Sequence, residues 1–242
     1  MRLGNVHRPG RGPFSRLAVL AVAVVMTACA APAPGPAPTE GPGTDGPCGV
    51  RRTNLPNPAD WRHDVALFEP TGAGSPWTGG TCGDDARPVA LLAHGYGGSA
   101  PEVYQGLVDH LVGNGFLVVF PPYDAEFDPP AQYRTVEVGL GAAIASTRRA
   151  DTERFGVVGH SFGGGMSPHL VQVVNGRGWG GRALWTVMFA PWFAFDVGTA
   201  QIDVPARTRV RSSPTTRTGS WTSASGSTSS ARSPSLPTRR RT

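Results

Sequence analysis

Five residues, Gly159-His160-Ser161-Phe162-Gly163, constrain this chain more than any other feature of its sequence. They match G-x-S-x-G, and they stand between an apolar run, Phe155-Gly-Val-Val158, and a helical pattern from Met166 to Val174. A turn that leads from a buried strand straight into a helix leaves no room for side chains beside its apex. The two flanking glycines meet that steric need. Ser161 is therefore expected to project from the carboxyl end of a sheet in a strained conformation. The amide N–H of Phe162, at the helix N-terminus, would face a negative charge developing on a bound carbonyl oxygen. With 33 glycines in the chain, a bare match arises by chance, and the alternative is an idle serine in a tight turn. The strand before and the helix after are what favour the first reading.

The rest of the pattern supplies that context. Arg62 to Phe68 alternates loosely and reads as an early strand of an antiparallel start. Pro88-Val-Ala-Leu-Leu-Ala93 and Phe116-Leu-Val-Val-Phe120 are short continuous apolar runs, as expected of strands buried on both faces. Between them Val103, Leu107, Val108, Leu111 and Val112 follow helical spacing. Val136 to Ser146 is a second helix, and Ala183 to Ala190 a further strand. The alternation predicts the α/β class, with a mostly parallel sheet covered by helices on both faces.

The strand ending at Ala93 runs into His94-Gly95-Tyr96-Gly97-Gly98, where a second oxyanion donor is expected. Together the two glycine motifs resemble the α/β-hydrolase superfamily, and in detail the bacterial cutinases, polyester hydrolases and dienelactone-hydrolase-like enzymes. The resemblance runs from about Pro88 to Pro205 and includes Asn114-Gly115-Phe116 and the Ala190-Pro191-Trp192 segment. It implies a serine carboxylic ester hydrolase working through an acyl-enzyme on a small or polymeric ester, without cofactor or metal. Ser161 would be the nucleophile, the amides of Tyr96 and Phe162 the oxyanion donors, and Trp192 and Tyr96 walls of the acyl cleft. Trp192 as a plain core aromatic is the other reading.

The departure from the family is equally specific. A triad on this fold runs serine, acid, histidine along the chain, and the only histidine after Ser161 is His169. Eight residues on, it lies about 12 Å along the same helix and does not reach back. His94 and His160 belong to the glycine motifs, and His63 and His110 to an early strand and a helix. Asp196 and Asp203 are the only late acids. From 207 to 242, eighteen of 36 residues are Ser or Thr and eight are Arg, so no strand, helix or core is expected there. One reading is a solvated basic tail. Another is a change of reading frame near Arg211, since shifting the codons turns TCN serines apolar and threonines into Asp, Asn, His or Tyr, which would extend a strand begun at Val210. The chain would then be a defective copy of an esterase. Two alternatives stay open: a non-catalytic envelope lipoprotein binding a ligand in the cleft, and an acyltransferase on the same scaffold.

The formal charge of +5 hints at nucleic acid until it is placed along the chain. The stretch 30–206 has ten Arg against 17 acids, a net of −7, and gives no reason to expect a nucleic-acid partner. Basic residues Arg2 to Arg16, the apolar run Leu17 to Val25 and the small residues after it form an export signal over 1–29. Met26-Thr27-Ala28-Cys29 resembles a lipobox that would lipidate Cys29 and anchor the protein to a membrane. Ala28-Cys29-Ala30 also suits ordinary secretion. Three cysteines are odd for an exported protein, and lipidation of Cys29 leaves Cys48 and Cys82 to pair. Residues 30–47 read as a Pro/Ala/Gly tether and 48–206 as the catalytic domain.

Overall fold

The computed structural model describes residues 43–83 and 85–213. Cys29, the export signal, most of the tether and the chain beyond Ser213 lie outside them. The strands are β1 (Gly49–Asn57), β2 (Asp60–Thr71), β3 (Arg87–Ala93), β4 (Leu117–Phe120), β5 (Ala150–His160), β6 (Ala183–Phe189) and β7 (Arg209–Ser213). They form one sheet in the order β1-β2-β4-β3-β5-β6-β7. β1 pairs antiparallel with β2, and β2 with β4, while every pair from β4 to β7 is parallel. The helices are α1 (Gln105–Gly113), entered through a 3-10 turn at Pro101–Tyr104, then α2 (Pro129–Ser146), α3 (Phe162–Gly176) and the short α4 (Thr199–Ile202). This is the mostly parallel α/β sheet, flanked by helices, expected from the alternation of apolar runs. No described helix is long and apolar enough to cross a membrane.

Strand periodicity divides the core between the two faces of the sheet. Val89, Leu91 and Ala93 of β3 pack with Val65, Leu67, Leu117 and Val119 against Tyr133, Val136 and Leu140 of α2 and Phe162, Met166 and Leu170 of α3. Ala90 and Leu92 turn the other way, with Phe68, Val118 and Phe120, onto Val108 and Val112 of α1. Each such fully buried Val, Leu or Phe contributes about 1.5–3 kcal/mol relative to exposure. That double layer holds the carboxyl ends of β3 and β5 rigidly side by side, with Ala93 in register with Gly159.

Four differences from the sequence reading have physical reasons. β1 escaped notice because it is an almost wholly exposed edge strand with little apolar alternation and a proline, Pro56, of the kind edges tolerate. α2 begins at Pro129, seven residues before its apolar stripe, because the Asp128 carboxylate accepts a hydrogen bond from the Ala131 N–H and proline suits the first turn. The tether docks before its expected end at 47: Asn114 Nδ2 donates to the Thr44 carbonyl (2.6 Å) and Cys48 N–H to the Gly113 carbonyl (3.1 Å).

The fourth difference is β7. No strand was expected after Pro205, yet Arg209–Ser213 pairs with β6 from Trp185↔Arg209 to Phe189↔Ser213. Four of its five residues are exposed. Composition argued against a core, and β7 adds little to one. The unpaired N–H and C=O groups along β6 template a strand regardless of side chains. The folded region therefore reaches Ser213 rather than 206, and the strand forms with Ser212 and Ser213 as they stand. Cys48 and Cys82 are disulfide-bonded with their Cα atoms 5.3 Å apart, as the cysteine count suggested.

Candidate active site

Ser161 sits at the apex between β5 and α3 with φ 51° and ψ −115°, a region L residues occupy only when the surroundings enforce it. Its N–H donates to the Phe189 carbonyl (2.9 Å), and its carbonyl accepts from the N–H groups of Gly165 (3.0 Å) and Trp192 (2.8 Å). The flanking glycines are a matter of contact distance. A Cβ on Gly159 would lie 2.2 Å from Ser167 Oγ and 2.3 Å from the Gly163 carbonyl oxygen, and one on Gly163 would lie 2.2 Å from the Ala93 oxygen. No side chain fits at either place, so the elbow expected from the motif forms.

The loop after β3 is fixed by two aromatic hydroxyls. Tyr123 OH donates to the His94 carbonyl, and the Tyr123 N–H donates to His94 Nε2 (3.0 Å). Nε2 therefore accepts, and Nδ1–H donates to the Gly95 carbonyl (2.7 Å). The imidazole is fully buried and stacked on the Tyr123 ring, 3.6 Å between centroids. Burial lowers its pKa from 6.5 to about 4, outweighing the Gly95 hydrogen bond, which raises it; the His63 charge lowers it further. The Gly95 N–H donates to Tyr104 OH (2.6 Å), and Tyr104 OH is hydrogen-bonded to His160 Nδ1 (3.0 Å). Burial pushes the Tyr104 and Tyr123 hydroxyls up, so both stay protonated. Gly163 N–H to His94 carbonyl (3.0 Å) closes the link between this loop and α3.

An open cavity of 450 Å³ beside Ser161 is lined by His160, Ala190, Pro191 and Trp192. Trp192 thus stands beside the serine and half-exposed rather than in the core. Tyr96 does not line this cavity. Its ring lies 6.4 Å from Phe127, which is 4.9 Å from Phe195, and Phe195 is 5.1 Å from Trp192. The Tyr96 N–H has no hydrogen-bond partner among the described residues, and the Phe162 N–H, first in α3, has no acceptor within its helix. Sequence reasoning missed Phe127 and Phe195. Both lie in loops without periodicity, and nothing local marked them.

No described histidine reaches the Ser161 hydroxyl. His63 bonds Asp60, His94 and His160 are held as above, and His110 lies 3.9 Å from Asp45. His169 Nε2 bonds Glu137 on α2 at 2.8 Å, eight residues along α3 as expected. Asp196 and Asp203 have no imidazole partner among the described residues. The Asp196 carboxylate acts on Tyr133, whose hydroxyl is pushed up to about 12 by burial first and by that carboxylate second.

No known protein family and no curated protein matches this chain by sequence. Among solved structures it is similar to a bacterial heroin esterase, with 20% identity over 72% of this chain and 50% of that one and a TM-score of 0.44. It is also similar to an esterase of Pyrobaculum calidifontis, with 15% identity over 77% and 55% and the same TM-score, 0.44. The chain spans about half the length of these structures. Likeness this distant transfers neither chemistry nor substrate.

Proposed function

We propose that the chain carries the nucleophile half of a serine carboxylic ester hydrolase. Ser161 Oγ would bond to the ester carbonyl carbon while the amide N–H groups of Phe162 and Tyr96 hold the oxyanion. The alcohol would leave with the serine proton, and water would then cleave the acyl-enzyme. The single observation that carries this reading is the Ser161 backbone itself, held at φ 51° at the first turn of a helix and opening on a cavity walled by Trp192. A strained residue over-determined by its surroundings is a mark of a working site. The Trp192 ring and Pro191 lining the cavity suit an apolar acyl group. Export, with Cys29 lipidated or the signal cleaved, belongs to the same proposal.

One observation favours a second reading, ligand binding without turnover: among the described residues no histidine makes a hydrogen bond to the Ser161 hydroxyl to take its proton. A fluorophosphonate probe separates the two. Labelling of the full chain that is lost in Ser161→Ala supports the hydrolase. No labelling above Ser161→Ala refutes it and leaves the binding protein.

A further inference from the structure

Away from the serine, a second group of ligating side chains gathers where β2 begins and the loop after β4 returns. Asp60, His63 and Asp124 each offer a ligand atom, and the three atoms lie within 4.8 Å of one another. His63 Nδ1 is 2.7 Å from Asp60 Oδ2, and its Nε2 is 3.6 Å from Asp124 Oδ1. Arg62 stands against both carboxylates. Its Nε is 3.5 Å from Asp60 Oδ1, and its terminal nitrogen pairs with Asp124 Oδ2. One oxygen of each aspartate is thus spent on a guanidinium whose own side chain is 51% exposed.

The cavity of 360 Å³ beside this cluster is also lined by Glu126, Asp128 and Gln132. Four carboxylates there face one arginine. Gln132 adds an independent observation. It is 3% exposed, and its Nε2 donates to the carbonyls of Asp124 (2.8 Å) and Glu126 (3.0 Å). Those two bonds fix the amide so that Oε1 is the acceptor left over, and Oε1 is buried with no partner among the described residues. A buried carbonyl oxygen left without a partner in a cavity lined by carboxylates wants positive charge or a donor.

We infer that Asp60, His63 and Asp124 form a binding site for one first-row divalent cation, with Gln132 Oε1 completing it directly or through a cation-bound water. One imidazole nitrogen with carboxylate and amide oxygens suits Mn²⁺ or Zn²⁺ rather than a soft thiolate-seeking metal. Arg62 holds the place of the cation. Entry of the metal sends its guanidinium out to solvent, where half of the side chain already lies, and frees Asp60 Oδ1 and Asp124 Oδ2 as ligands. Asp124 directly follows Tyr123, whose N–H and hydroxyl hold His94, so the cation would clamp the start of β2 to the loop that supports the glycine turn after β3.

The test is titration of the chelator-treated full chain with Mn²⁺, reading free ion by its paramagnetic resonance signal; Mn²⁺ avoids the thiol of Cys29 that Zn²⁺ would visit. One equivalent should bind. Asp124→Asn and His63→Gln should each weaken binding by about tenfold or more, and Arg62→Gln should tighten it because the competing cation is gone. Circular dichroism confirms that each variant is folded. If Asp124→Asn or His63→Gln does not fold, the half-exposed Arg62 decides alone. The inference is overturned by the absence of saturable binding in the wild type, by binding indifferent to Asp124→Asn and His63→Gln, or by an Arg62→Gln chain that binds no more tightly.

Discussion

The His94 imidazole makes the pH dependence of folding calculable. Burial holds it neutral down to about pH 4, whereas in the unfolded chain it takes a proton near 6.5. Geometry gives the reason beyond burial. Nε2 accepts from the Tyr123 N–H, so a proton placed there would set donor against donor inside the core. The folded form therefore binds fewer protons than the unfolded form at any pH between the two values, and stability falls as pH falls. The contribution is fully present above the unfolded-state value and is lost progressively as pH drops from 6.5 towards about 4. Linkage over this interval gives a loss of about 2 kcal/mol between about pH 7.5 and about pH 5, and about 3 kcal/mol by about pH 4. Carboxylates titrate over part of the same range, so the measurement is a difference. Urea unfolding of the wild type and of His94→Asn is followed at each pH with chelator present, and the gap in unfolding free energy is plotted. The wild type should lead at neutral pH, and its lead should shrink by about 2 kcal/mol towards about pH 5. A gap that stays constant with pH would falsify the claim that this histidine is buried as a neutral acceptor.

Two further perturbations test the framework of the site. Gly159→Ala should cost about 1–3 kcal/mol in thermal or urea unfolding, because the new Cβ meets Ser167 Oγ and a backbone oxygen at distances no real contact shows, and it should abolish probe labelling of Ser161 if the elbow moves; a neutral result would mean the turn has slack. Replacing Cys48 and Cys82 by alanine opens a loop of sequence separation 34. It should lower stability by about 4 kcal/mol on the loop-entropy estimate, while reductant leaves the variant unchanged and brings the wild type down to the same level.

Much of the fold was legible because buried parallel strands announce themselves as unbroken apolar runs. β3 and β4 were readable nearly to the residue, and the G-x-S-x-G turn located Ser161. What stayed hidden was held by backbone and by distance. β1 and β7 are edge strands whose exposed side chains carry no pattern, and their ladders depend on partners far away in sequence. Phe127 and Phe195 reach the neighbourhood of Trp192 from loops. Asp60 and His63 lie 60 or more positions before Asp124, and nothing in that spacing resembles a metal motif. The sequence marked no histidine placed to serve as a base, and the structure adds the contacts that each described one makes.

β7 changes what the end of the described chain means for the site. Ala190 has φ 44°, a left-handed conformation that costs an alanine roughly 1–3 kcal/mol and persists only when the surroundings enforce it. Part of that enforcement is the bond from the Ala190 N–H to the Ser213 carbonyl (2.9 Å), the last rung of the β6–β7 pairing. The same left-handed turn directs Pro191 and Trp192 back over α3. There the Trp192 N–H reaches the Ser161 carbonyl, and Gly164 and Gly165 lie too close to Pro191 and Phe193 for any side chain to intervene. The wall of the cavity is thus pinned at one end by the turn at Ser161 and at the other by a strand of Arg, Val and Ser whose side chains contribute little. A segment that reads as featureless by composition holds the geometry of the pocket through its backbone alone.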